Sequence, residues 1–185
     1  LLVECGAYSR HPLIRVPTGV GIIWKQRLFD WQLNSTETPS LNQRKIELMR
    51  GKILGGSSAI NAMSHVRGAP ADYDGWHDAG CDGWSYDEVA PFFRKSENWI
   101  GPPTDHRGCG GPIYVSPAQS ADPLYEAWFE AAKSCGHKVI EDYNALPHGV
   151  PLEGFARSQQ TIGNGYRVTA SSAYLEGQQN RPNLC

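Results

Sequence analysis

The run Arg50-Gly51-Lys52-Ile53-Leu54-Gly55-Gly56-Ser57-Ser58-Ala59-Ile60-Asn61-Ala62-Met63 constrains the fold more than any other segment, because it crowds small residues between a basic pair and an amide. Without a Cβ at Gly55 and Gly56 the main chain can come close to a neighbour, and adjacent N–H groups in such a turn can point at an anionic or carbonyl oxygen. Ser57, Ser58 and Asn61 add side chains capable of directional hydrogen bonds. Two readings stay open on spacing alone: a turn that lets a helix pack close to a sheet, and a surface on which a large ligand touches backbone.

With 185 residues the chain has room for one or two units with a real core. The formal net charge of -2, with acidic and basic residues interleaved, leaves no electrostatic footprint for nucleic acid or an anionic membrane. Cys5, Cys81, Cys109, Cys135 and Cys185 are scattered and lack the close pairing of a zinc or redox site. They read as free thiols in a reducing compartment, which favours the cytoplasm. No apolar run approaches the ~20 residues of a membrane span. Leu1-Leu2-Val3 starts mid-strand and Arg181-Pro182-Asn183-Leu184-Cys185 stops where an apolar strand begins, so the expectation is an internal piece of a longer protein.

Leu1 to Glu4 reads as a short buried strand closed by a carboxylate, with Cys5-Gly6 as the turn. Such a Glu is either an ordinary strand-end residue or, as in a dinucleotide-binding βαβ unit, an acceptor for ribose hydroxyls. Residues 7–49 have weak periodicity and many turn formers, and read as an extended excursion anchored by Trp24, Phe29 and Trp31. A short helix is expected around Asp72-Tyr73-Asp74-Gly75-Trp76, ended by Gly80, and a second behind the capping box Ser85 to Glu88, kinked or split by Pro91. Asp72, Asp74, Asp78 and Asp82 read as helix-end and loop carboxylates rather than a calcium loop.

The pattern changes near Gly101, where a second unit is expected. Ile113 to Ser116 reads as a strand, and Asp122-Pro123 as the start of a helix that stops at Gly136. In that helix Leu124, Trp128, Ala131, Ala132 and Cys135 form an apolar stripe expected to lie on something. No catalytic group declares itself. There is no G-x-S-x-G elbow, and His11, His65, His77, His106, His137 and His148 are dispersed without metal-ligand spacing.

Taken together these segments resemble the glucose-methanol-choline family of flavin oxidoreductases. The likeness lies in Asp30-Trp31, RGKILGGSSAINAM (50–63), VRG (66–68), DYDGW (72–76), GW (83–84) and PFFRKSEN (91–98), and extends to VECG (3–6), GNGYRVTASSAYL (163–175) and RPNL (181–184). It implies an α/β chain comprising part of a Rossmann-like FAD-binding domain over 1–100, part of a substrate domain with antiparallel sheet and helices over 101–162, and a return to the FAD domain over 163–185.

The resemblance further implies that Glu4 holds the adenosine ribose, while Arg50, Gly51, Lys52, Leu54, Gly55, Gly56, Ser57, Asn61, Ala62 and Met63 follow the FAD towards its isoalloxazine. Gly56, Ser57, Asn61, Ala62 and Met63 are then nearest the ring. The implied activity is oxidation of a primary or secondary alcohol by hydride transfer to flavin N5, with a small alcohol as substrate and oxygen, a quinone or a dye-type acceptor taking the electrons. A hydroxynitrile lyase on the same scaffold and an inactive fragment without cofactor are the alternatives. Two departures stand out: His65 occupies a position usually aromatic in the family, and Ile60 stands where some members carry the His that tethers FAD, so noncovalent FAD is expected. The family's upstream G-x-G-x-x-G loop, and its catalytic His with a His or Asn partner, have no counterpart in these residues.

Overall fold

The computed structural model describes residues 1–8, 10–120, 122–145, 150 and 152–184; His148 and Cys185 lie outside the described residues. In chain order the helices are α1 (Pro12–Arg15), α2 (Val20–Gln26), α3 (Pro70–Asp78), α4 (Tyr86–Ser96), α5 (Pro123–Ser134) and α6 (Ala170–Tyr174). The strands are β1 (Leu33–Asn34), β2 (Glu47–Leu48), β3 (Glu97–Trp99), β4 (Ile113–Pro117), β5 (Gln159–Gln160), β6 (Ile162–Gly163) and β7 (Tyr166–Arg167). Short 3-10 turns cover Pro17–Gly19, Pro39–Leu41 and Gly56–Ala59. The chain is thus a mixed α/β protein, and it divides into two units, Leu1–Met63 with Thr161–Cys185, and Ser64–Gln160.

The first unit takes its core from the stretch read as an excursion together with the glycine-rich run. Ile14 on α1 and Ile23 on α2 bury with Ile53, Ala59 and Ile60 of the glycine-rich run, and Leu13, Phe29 and Met49 pack against them. Short helices form here despite the prolines because Pro12 and Pro17 sit in first turns, where a missing N–H costs nothing. Trp24 anchors as expected, its indole N–H donating to the Ile60 carbonyl at 2.6 Å. Trp31 does not: the residue stays 45% exposed. β1 and β2 pair antiparallel, with Leu33 opposite Leu48. β6 and β7 form a hairpin over Asn164-Gly165, both in the left-handed region as a two-residue type I′ turn needs. The expected strand at Leu1–Glu4 is absent. Among the described residues no strand pairs with it, and Leu1 and Val3 are exposed.

In the second unit β3 runs parallel to β4, and β4 antiparallel to β5. α3 ends as expected, with Gly80 left-handed just beyond it, and Asp72 caps its start by accepting from the Ala69 N–H at 2.9 Å. Asp74 ties α3 to α4 by accepting from the Tyr86 N–H at 3.0 Å. Glu88 accepts from the Ser85 N–H and hydroxyl, and α4 continues unbroken through Pro91 to Ser96, so the expected split does not occur. Proline removes one hydrogen bond, and the capped start together with Tyr86 and Ala90 buried on α4 compensates.

α5 starts at Asp122, which accepts from the Leu124 N–H at 2.9 Å, and ends before Gly136. Its buried face is Phe129 and Ala132; Leu124 and Trp128 of the predicted stripe face outward.

The units part at 63/64 and 160/161 rather than near Gly101. The reason is Glu97, at the end of α4 and start of β3. Its buried carboxylate accepts from Arg67 (2.8 Å), from Arg107 through Nε (3.0 Å) and Nη2 (2.9 Å), and from the Gly108 N–H (2.8 Å). Groups on both sides of residue 101 thus close on one carboxylate, and the shift in composition there marks a surface loop inside a unit.

Candidate functional site

The glycine-rich run is held on both flanks. On one, the buried Asp30 accepts from the Arg50 N–H and from Arg27 Nε, both at 2.8 Å, while the Lys52 N–H donates to the Phe29 carbonyl at 2.7 Å. Burial pushes the Asp30 carboxyl up, but hydrogen bonds from the Arg50 N–H, the Arg27 side chain and the Gln32 N–H outweigh it and hold the group below the ordinary Asp value. On the other flank Ala7 pairs in parallel with Ile53, and the Leu54 N–H donates to the Ala7 carbonyl at 3.2 Å. The end of the 3–6 segment therefore lies against the run, with an exposed Glu4 whose Oε1 accepts from the Gly6 N–H at 2.7 Å.

Gly55 (φ 97°) and Gly56 (φ 57°) take the left-handed conformation that turns the chain into the 3-10 segment Gly56–Ala59. Gly51 passes so close to that turn that a Cβ would collide with the Gly56 carbonyl. The Gly51 N–H donates to Ser57 Oγ at 3.1 Å. Ser58 Oγ donates to the Gly55 carbonyl at 2.5 Å and accepts from the Ala170 N–H at 2.8 Å, so α6 braces the turn.

Most backbone donors of the run are satisfied internally. Those of Gly51, Lys52, Leu54, Gly56, Asn61 and Met63 all bond within the protein. Among the described residues, the N–H groups of Gly55 and Ala62 and the Asn61 amide nitrogen donate to nothing in the protein. Arg50 and Lys52 are exposed, with Lys52 Nζ 4.8 Å from the centre of the Trp31 ring. Leu54 is half-buried, and Met63 is buried with φ 63°, so its side chain belongs to the core.

Two residues that support this surface, Asp30 and Arg167, lie in segments that carry the family likeness, but nothing in their spacing named their partners. Asp30 is 20 residues from the Arg50 N–H it accepts from. Arg167 is 106 residues from Asn61, to which it donates. His65, in the second unit, turns Nε2 towards Glu97 Oε1 at 3.3 Å.

A profile of the GMC oxidoreductase family matches residues 26–185. The chain belongs to the GMC oxidoreductase family. The oxygen-dependent choline dehydrogenase of Brucella anthropi is 39% identical over 184 residues, covering 100% of this chain and 33% of that protein. That of Photobacterium profundum is 37% identical over 186 residues, covering 100% of this chain and 32% of that protein. The crystal structure of pyridoxine 4-oxidase from Mesorbium loti superposes with a TM-score of 0.88 at 30% identity, covering 98% of this chain and 35% of that one. An FAD-dependent oxidoreductase from Chaetomium thermophilum gives 0.82 at 29% identity, covering 97% and 32%. This GMC chain spans about a third of the length of the curated relatives it matches.

Proposed function

We propose that residues 50–63, with Glu4 beside them, form one wall of an FAD site in an enzyme that oxidises a primary or secondary alcohol to an aldehyde or ketone. The observation that carries this reading is the set of donors along the run that bond to no described residue, the Gly55 and Ala62 N–H groups and the Asn61 amide, in a chain of the GMC family. FAD is lined with acceptor oxygens and nitrogens, which these donors fit, and the exposed Arg50 and Lys52 suit its pyrophosphate. Bound FAD supplies the two-electron acceptor. The work of these residues is to bind and orient it, and the alcohol proton goes to a base outside the 185 residues. The names of the relatives support oxygen as the final acceptor. Attachment is noncovalent, since Ile60, where a tethering His would fall, is 3% exposed and part of the core. The first unit is the cofactor side and the second the substrate side.

The test is to denature the purified full-length protein and separate flavin from precipitate. Free FAD in the supernatant, and anaerobic bleaching of the flavin by an alcohol before denaturation, are expected. A colourless protein sinks the reading, flavin that stays with the precipitate removes the noncovalent attachment, and flavin that no alcohol bleaches points to a lyase.

A further inference from the structure

Arg167, on β7, is 4% exposed and makes no ion pair among the described residues. A buried guanidinium without a counter-ion is costly, so its contacts need a compensating role. Nε donates to the Ile14 carbonyl at 3.0 Å, and Nη1 donates to Asn61 twice, to the backbone carbonyl at 2.7 Å and to Oδ1 at 2.8 Å. A longer contact of 3.4 Å joins Nη1 to the Ser58 carbonyl. Asn61 Oδ1 also accepts from the Met63 N–H at 3.0 Å.

Both partners of Oδ1 are obligate donors. The carboxamide oxygen must face them, and a flipped amide would set N–H against N–H at both contacts. Nδ2 is thereby directed away from Arg167 and Met63, and it meets no other described residue. We propose that Arg167 is a positioning residue, which fixes the Asn61 carboxamide so that Nδ2 stands as a pre-oriented donor to the flavin. The proposal rests on the FAD reading above. A donor whose rotamer and flip are set before binding loses little freedom when the ligand arrives, which is where the affinity comes from.

The experiment is a double-mutant cycle in the full-length protein, reading the FAD dissociation constant of the apoprotein by quenching of flavin fluorescence and the thermal midpoint alongside. Asn61→Ala is expected to weaken FAD by roughly three- to tenfold, the effect of one hydrogen bond. Arg167→Met is expected to weaken it by a similar factor in the wild-type background and hardly at all in the Asn61→Ala background. Arg167→Lys keeps the charge and runs the same cycle if the methionine variant does not fold; its single ammonium cannot reproduce the guanidinium fork, so partial weakening is expected. Effects of Arg167 and Asn61 that multiply, or a lowered thermal midpoint with unchanged FAD affinity, overturn the positioning role and leave the FAD reading standing. A wild-type protein that binds no FAD overturns both.

Discussion

Glu97 shows how much of the second unit hangs on one side chain. Its carboxylate is 1% exposed and faces Arg67, Arg107, His65 and the Gly108 N–H. Burial pushes its pKa up, yet the His65 ring beside it, the hydrogen bond from the Gly108 N–H and the two guanidinium charges bring it below the ordinary Glu value of 4.5. A carboxyl lowered on folding contributes stability that is complete above its unfolded pKa and is lost as pH falls through the folded one. Glu97→Gln should therefore cost about 3–5 kcal/mol at neutral pH, by leaving the buried Arg67 guanidinium without a counter-charge and Arg107 with Asp142 alone. It should also flatten the decline in stability below pH 4.5, where the wild-type group takes up its proton. Denaturant unfolding at pH 7 and at pH 4 checks both. A variant that matches the wild-type slope would remove Glu97 from the acid response. None of this was legible in the sequence, because Glu97 lies 30 residues from Arg67 and 10 from Arg107, separations that carry no periodic signal.

Among the elements, local chemistry decided what could be read in advance. α3 and α5 were legible because carboxylates start them and left-handed glycines follow them, at Asp72 and Gly80 and at Asp122 and Gly136. Leu1 to Glu4 misled, since a strand needs a partner that apolar composition cannot supply. The stripe read on α5 misled in part for a related reason: Ala132 is buried but Leu124 and Trp128 are exposed, since periodicity gives a face but not its neighbour. The glycine-rich run was legible as a site of close approach, while the loss of most of its N–H groups to internal bonds was not, because their acceptors lie as far away as Ala7 and Phe29. Two glycines test this contrast. Gly51→Ala drives a Cβ into the Gly56 carbonyl and should lower stability by about 1–3 kcal/mol, as overpacking does. Gly21→Ala lies inside α2 with open space around it and no left-handed φ, and should raise stability by about 0.5–1 kcal/mol. Thermal melts of the pair should move in opposite directions.

For the molecule as a whole, the proposal that residues 50–63 form one wall of an FAD site can be tested on these residues alone. The run, Glu4 and the bracing of α6 all belong to the first unit, and they offer donors at the Gly55 and Ala62 N–H groups and at Asn61. What the 185 residues lack is a G-x-G-x-x-G turn, the element that cradles a dinucleotide pyrophosphate on a helix N-terminus. Pyrophosphate contacts carry two charges and several charge-assisted hydrogen bonds, each worth more than a neutral one. The 185-residue chain by itself should therefore bind FAD at least about a hundredfold more weakly than the full-length protein, the equivalent of roughly 3 kcal/mol. Titration of both with FAD, followed by fluorescence and by calorimetry, measures the ratio. Tight stoichiometric binding by the 185 residues would show that the glycine-rich run and its flanks suffice as the cofactor's anchor, and would move the centre of the site onto Gly55, Asn61 and Ala62.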